Sequence, residues 1–288
     1  MSVGTVTQLW RYPVKSMAGE QLSAAEIDQN GVAGDRGWAV REIEADVTRN
    51  AREMPKLLQF ASAYAESPSF DQRSPAVTIT TPDNLQVQSA DENRDQQLSE
   101  ILGRPVMLTP LHPADDLAWY ARAQIPEGVD PMQALRQLMG MQEDDPLPDF
   151  SGLPPDLQNF SSPPGTYFDC YPIHIMTTSS LNTLAEAGGG EDVDVRRFRP
   201  NVLIDTGDAQ GLLEVDWTGK KLRLGEIVIE LQTTTVRCSV PAHAQRDFGS
   251  SRAVGRALIE NTKQHLGSYC NVLQGGMVNV GDDVELID

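Results

Sequence analysis

The chain has 288 residues, of which 40% are hydrophobic and 22% charged, with 41 acidic against 23 basic residues for a net charge of −18. That length holds one large domain or two modest ones around a sizeable core, and the composition is that of an ordinary globular protein. The acidity repels polyanions, so nucleic acid and an anionic membrane surface are not expected partners, and no stretch approaches the roughly 18 apolar residues of a membrane span.

The N-terminal stretch MSVGTVTQLWRYPVKS has no basic segment leading into an apolar run. It therefore does not read as a signal peptide, and the cytoplasm is the expected location. Three cysteines make no disulfide framework, and free thiols are expected in a reducing compartment.

From residue 1 to about 110 the runs GTVTQLWRYPV, RGWAVREI, LLQFASAYAE, AVTITTP and LQVQSA are short, partly alternating and broken by Gly, Pro, Asn and Asp. They predict strands of an antiparallel sheet or barrel, and DENRDQQLSEIL (91–102) predicts a short surface helix. The segment 111–165 differs. DPMQALRQLMGM has helical spacing after Asp-Pro, but EDDPLPDFSGLPPDLQNFSSPPG is dense in Pro, Ser and acid, and reads as a peripheral insertion or linker.

After residue 166, FDCYPIHIMTT predicts a buried strand, and SSLNTLAEAG a helix capped by Ser179 or Ser180. PNVLIDT and KLRLGEIVIELQTTTVRC predict further strands, and SSRAVGRALIENTKQHLG a second helix with Gly267 near its end. The close, SYCNVLQGGMVNVGDDVELID, has two strand runs around a Gly-Gly turn, as in a small β-barrel. The fold class is mainly β with α, an N-terminal antiparallel barrel-like domain (1–110) and a C-terminal barrel domain with flanking helices (166–288).

Four motifs bear on chemistry. YPVKSMAG (12–19) places Lys15 and Ser16 just past a strand, where their donors suit an anion, and GVAGDRGW (31–38) is a turn with Asp35 beside Arg36. In VDVRRFRPNVLID (193–205), a strand alternation puts Arg199 and Asn201 on one face and Arg196 on the other. In VRC, Arg237 precedes Cys238, and a nearby cation favours the thiolate that binds a soft metal or attacks an electrophile. For Cys170 and Cys270 the ordinary reading is buried apolar filler. Neither Cys-x-x-Cys nor His-x-x-x-His spacing occurs, which argues against structural zinc, and His243 is the one histidine near Cys238, leaving a Cys-His hydrolase as a rival chemistry.

Taken in order, YPVKS, GVAGDRGW, PIHIMTTSSL, RFRPN, the RC dipeptide and LGSYCNVLQGGMVNVGDDVEL resemble the MOSC-domain family, named for the C-terminal domain of molybdenum cofactor sulfurases, with its N-terminal β-barrel domain. Its relatives include the mitochondrial amidoxime-reducing component and bacterial reductases of N-hydroxylated compounds. The resemblance implies a molybdenum cofactor (molybdenum with molybdopterin) bound by Cys238 as the protein's metal ligand and catalytic thiolate. It also implies that Lys15, Ser16, Arg36, Thr178, Ser179, Ser180, Arg199, Asn201, Arg237 and Tyr269 hold the cofactor. The implied activity is two-electron removal of oxygen from a small N-hydroxylated substrate such as an amidoxime, hydroxylamine or N-hydroxylated base. With no ferredoxin-like cysteine cluster in the sequence, the electrons are expected from a separate protein of reductase, ferredoxin or flavoprotein type. A non-catalytic cofactor or sulfur carrier is the alternative. Ser239, Val240 and Pro241 depart from the family's pattern, which implies a different substrate side.

Overall fold

A computed structural model describes residues 1–125 and 127–287. In chain order it contains β1 (Ser2–Arg11), β2 (Glu20–Leu22), β3 (Ala24–Asp28), β4 (Gly31–Val32), β5 (Trp38–Glu42), β6 (Val47–Thr48), β7 (Ala61–Tyr64), β8 (Val77–Thr80), β9 (Gln86–Gln88), α1 (Arg94–Leu102) and β10 (Val106–Pro110). Then come α2 (Pro131–Met139), β11 (Ile173–Thr177), α3 (Thr178–Leu184), β12 (Val202–Asp205), α4 (Leu213–Asp216), β13 (Lys221–Leu224), β14 (Ile227–Val236), α5 (Arg252–Thr262), β15 (His265–Gln274), β16 (Gly276–Asn279) and β17 (Asp283–Ile287). The fold is thus mainly β with helices.

Seven strands close a barrel in the order β12-β11-β15-β14-β13-β17-β1, with β1 returning to pair with β12. Closure satisfies the edge hydrogen bonds of every barrel strand. The lumen is a packed core, not a channel, because alternate residues turn inward: Ile173 and Ile175, Val202 and Ile204, Leu222 and Leu224, and Ile227, Ile229 and Leu231 fall in one buried cluster. Each such side chain contributes roughly 1.5–3 kcal/mol relative to an exposed one. A second core lies under β5 and β7–β10, where Trp38, Val40, Phe60, Ile79, Leu98 and Leu108 are buried together, and a third joins α3 and α5 around Leu184, Phe198 and Leu258.

Strand pairing crosses the expected 1–110 division twice. β1 belongs to the C-terminal barrel, paired with β12 and β17, and β3 pairs with β16. β2 and β4 pair with β1 and β3, and the other N-terminal strands form the sheets β10-β5-β6 and β7-β8-β9.

Several local expectations are corrected. Thr177 caps α3, its hydroxyl accepting from the Ser180 amide at 3.2 Å, so neither Ser179 nor Ser180 is the cap. Helix α5 ends at Lys263 in the left-handed conformation, while Gly267 lies inside β15. Residues 195–197 form a 3-10 turn and not a strand entry, because the Asp194 carboxylate caps the turn through the Arg196 amide at 2.9 Å. The helix expected after Asp-Pro is present as α2, with the Asp130 carboxylate accepting from the Met132 amide at 2.8 Å and Gly140 ending it at φ 70°.

Candidate functional site

The loop after β1 crosses the end of the barrel and is pinned from both sides. The Tyr12 amide donates to Asp35 Oδ1 at 2.8 Å, and the Tyr12 hydroxyl donates to the Pro200 carbonyl at 3.0 Å. Two guanidinium groups then lie over the Tyr12 ring, Arg36 at 5.0 Å and Arg199 at 4.3 Å from its centroid. Ser16, Arg36 and Arg199 all hold positive φ, of 72°, 50° and 58°. Non-glycine residues adopt that conformation at a cost of about 1–2 kcal/mol, so the surrounding contacts fix three neighbouring side chains in strained positions.

These cations are unequally satisfied. Arg36 is paired with the buried Asp35 carboxylate. The Lys15 ammonium is buried and donates to the Tyr167 carbonyl at 2.8 Å and to Asp169 Oδ1 at 2.9 Å. Burial pulls Lys15 below its ordinary value against the attraction of Asp169. The Asp169 carboxyl is held below the usual range by Lys15 and Arg36, which outweigh the desolvation that would raise it. Arg199 has no carboxylate partner: Nη1 donates to the Met17 carbonyl at 2.6 Å, and Nη2 is buried with no partner among the described residues. Burial, with the Arg36 charge beside it, brings the Arg199 pKa down to about 10. A half-buried guanidinium with an unpaired inward donor, beside a second guanidinium, suits an anion.

Behind this pair lies a polar net that positions it. Asn201 accepts from the His174 amide at 3.1 Å and donates to Asp35 Oδ2 at 2.9 Å, linking β11 to the Arg36 turn. Arg237, the residue after β14, donates to the Leu266 carbonyl at 2.7 Å, to the Phe198 carbonyl at 3.0 Å and to His174 Nε2 at 2.6 Å. Burial, and then the Arg237 charge, push His174 well below its ordinary value, so its ring is neutral and accepts. Gly267, at φ 85°, is required here, since a Cβ would stand 2.4 Å from His174 Nε2 and 2.7 Å from Arg237 Nη2.

Cys238 follows Arg237 and is half-buried. It opens into a cavity of about 500 Å³ whose wall also includes Lys15, Ser16, Arg36, Arg199, Asn201, Arg237 and Tyr269. Tyr269 stacks obliquely on His174 and Tyr171 at 5.5 and 5.9 Å, and burial raises its hydroxyl far above the ordinary value, so it stays protonated. The volume suits a ligand of several rings. No three His, Cys, Asp or Glu side chains converge on a metal position among the described residues, so a metal at Cys238 would take its other ligands from a cofactor. His243 turns its Nε2 to Ser239 Oγ at 3.2 Å, and no hydrogen bond joins it to Cys238. Cys270 is fully buried in the barrel.

Eight of the eleven expected site residues therefore meet at one cavity, and three do not. Ser179 and Ser180 are buried at the start of α3, where the Thr177 and Ser180 hydroxyls donate to the Glu214 carboxylate at 2.6 and 2.5 Å. The Thr178 hydroxyl is 3.2 Å from Asp205 Oδ1 and from Thr206. These hydroxyls build a helix start, not the cavity wall. Sequence reasoning missed Arg52 and Asp169. Arg52 lines the cavity and forms no ion pair among the described residues; burial works against its charge, but the acidic groups around it, Asp169 and Glu53 among them, more than restore it. No spacing pattern links Arg52 to Cys238, which only the fold brings near. It missed as well that α2 and the segment after it wall the cavity with Leu135, Met139, Phe150, Leu153 and Leu157.

Residues 163–285 match the family model for the MOSC domain, and residues 3–117 that for the MOSC N-terminal beta barrel domain. The chain belongs to the MOSC-domain family and carries both of these domains. It is similar to mitochondrial amidoxime reducing component 2 of Rattus norvegicus, 25% identical over 306 residues that cover 98% of this chain and 83% of that protein. The Homo sapiens protein of the same name is 27% identical over 250 residues, covering 82% of this chain and 65% of its own length, so under two thirds of the human protein is spanned. Among solved structures, the YUAD protein from Bacillus subtilis is 12% identical with a TM-score of 0.46, covering 98% of this chain and 94% of that one, a likeness too low to carry an argument.

Proposed function

We propose that the protein is a molybdenum cofactor-dependent reductase of N-hydroxylated compounds. The observation that carries this reading is the unpartnered, buried Arg199 Nη2 in the wall of the same cavity as the half-buried Cys238. Within a chain of net charge −18, an anionic cofactor needs local cations, and Lys15, Arg36, Arg52 and Arg199 supply them at one place.

The residues present fit such a group. Arg199, Arg36, Lys15 and Ser16 would hold its phosphate and pterin, Asn201, whose amide donors go to Asp35 Oδ2 and the Trp10 carbonyl, would brace the Arg36 turn, and the Cys238 thiolate would ligate the metal. Arg237 would act behind them, because Nε, Nη1 and Nη2 are turned to two carbonyls and to His174. When bound, the cofactor supplies two-electron redox chemistry, so an N-hydroxylated substrate with two electrons and two protons gives the amine or amidine and water. Tyr269, kept protonated, offers a hydroxyl donor at the cavity, whereas Asp169 stays ionised and offers an acceptor. No helix among the described residues is long and apolar enough to cross a membrane. The electron donor would be a separate small redox protein.

The test is molybdenum per protein, together with reduction of an amidoxime by a chemical reductant, for protein made in a host that synthesises the cofactor. Cys238→Ala should lose nearly all activity and most of the metal, while Cys270→Ala, a change inside the barrel, should keep the metal and lose stability by roughly 1–3 kcal/mol. Equal molybdenum in wild type and Cys238→Ala would overturn the assignment.

A further inference from the structure

The cavity's lining joins the cations to an apolar surface, and much of that surface comes from the segment between the two family-model matches, which end at residue 117 and resume at 163; the segment also brings Arg122 to the wall. This stretch contains five carboxylates between Glu143 and Asp156, none of which lines the cavity, whereas Phe150, Leu153, Pro154, Pro155 and Leu157 do. Phe150, Leu153 and Leu157 are half-buried. Apart from a 3-10 turn at Pro155–Gln158 the segment has no helix to sort its side chains. Yet four of the five carboxylates are exposed and the fifth, Asp145, is buried in an ion pair, while Phe150, Leu153 and Leu157 turn to the cavity and Leu147 stays exposed, an arrangement that suits an apolar ligand surface.

The segment is also tied at both ends. Buried Asp145 accepts from Arg256 of α5 at 2.8 Å, and Arg136 of α2 donates to the Asp145 carbonyl at 2.7 Å. At the far end Arg122 Nη2 donates to the Leu157 carbonyl at 2.7 Å, and the Arg122 amide donates to the Asn159 carbonyl at 2.9 Å. Midway, a Cβ at Gly152 would stand 2.2 Å from Thr233 Oγ1, so the backbone lies against β14 itself. The apolar wall reaches the reacting centre, because the amide and hydroxyl of Ser239, next to Cys238, donate to the Leu138 carbonyl of α2 at 3.2 and 3.0 Å.

We propose that residues 146–158, with the inner face of α2, recognise the substrate's body, and that the protein selects neutral N-hydroxylated compounds bearing a flat apolar group over small hydrophilic ones. This rests on the reductase reading for the reacting group. Proline and aromatic side chains offer stiff planar surfaces that need little ordering on binding, so an aromatic ring between Phe150 and Leu153 is held at small entropic cost.

The experiment compares benzamidoxime with acetamidoxime, both uncharged near neutral pH, on molybdenum-loaded protein. Binding is measured by calorimetry without reductant, and turnover with a chemical reductant. Wild type should bind benzamidoxime at least about tenfold more tightly, and the double variant Phe150→Ala/Leu153→Ala should lose most of that ratio while keeping its metal. Equal affinity of wild type for the two compounds overturns the proposal whether or not the variant folds. A ratio unchanged within twofold in a folded variant does the same. Selective binding without reduction would leave the recognition wall standing and sink the reductase reading. Reduction of both compounds at equal kcat/KM and affinity would do the reverse.

Discussion

At the scale of single residues, the site separates arginines that are adjacent in sequence. Arg199 is half-buried with one donor, Nη2, buried and unpaired among the described residues, whereas Arg196, 38% exposed in its side chain, is paired with Asp194 and Asp247. A charge-assisted hydrogen bond contributes about 1.5–3 kcal/mol, or roughly 10- to 100-fold in affinity, while an exposed ion pair is worth about 0–1 kcal/mol. Arg199→Ala should therefore release cofactor on gel filtration and Arg196→Ala should retain it, read as molybdenum per protein with thermal unfolding in parallel. Equal retention would remove Arg199 from the binding set. The strand alternation proposed for RRFRPN singled out the same arginine for a reason the structure does not support. Arg199 reaches the cavity through a left-handed turn after a 3-10 segment, and its neighbour Arg197 is buried as a scaffold, donating to the Asp192 carbonyl at 2.7 Å.

At the scale of elements, the His174–Arg237 bond ties β11 to the end of β14, and it exists only while the imidazole is neutral. The folded-state pKa of His174 lies well below the ordinary 6.5, so the unfolded chain binds one more proton below that pH. Stability from this tie is fully present above about pH 6.5 and is lost as pH falls toward the depressed folded value, by up to about 1.4 kcal/mol per pH unit. Urea unfolding between pH 7.5 and 5.5 should show that fall. His174→Gln, whose amide oxygen still accepts from Arg237, should show a shallower one, and an identical slope in the variant would locate the titration elsewhere. His243 and His265 are also shifted downward by burial and supply the residual slope.

At the scale of the whole molecule, the barrel is closed by the first strand of the chain. β1 contributes Val6 and Leu9 to the lumen and covers the edges of both β12 and β17. A fragment of residues 163–288, which contains the MOSC match at 163–285, therefore lacks one stave of seven and leaves two edges open. It should fail to fold cooperatively, judged by thermal unfolding and amide chemical-shift dispersion, and a peptide of residues 1–11 added in trans should partly restore it. Cooperative unfolding of the fragment alone would show that β1 is dispensable for closure. The division into an N-terminal unit of 1–110 and a C-terminal unit of 166–288 is thus best tested by cutting the chain, since pairing alone joins the two.

The sequence by itself determined the elements whose signals are local. Strand-like runs pointed to β5, β8, β14 and the later part of β15, Asp-Pro marked the start of α2, and short motifs picked out Lys15, Ser16, Arg36, Asn201 and Cys238, which the fold gathers at one cavity. Period-2 burial and helix-end chemistry are properties of a few neighbouring residues, so they survive without the fold. Tertiary structure alone decided the rest. The Ser180 hydroxyl, with that of Thr177, was drawn to Glu214 because a buried carboxylate needs donors, while Ser179 turned to Thr177 and Thr178 to Asp205 and Thr206. Arg52 came to Cys238, and β1 to β12, through pairings between residues far apart in the chain. The stretch expected to be a peripheral linker became a cavity wall because its few hydrophobes, hidden among prolines and acids in any local average, had one apolar surface within reach once both ends were tied down.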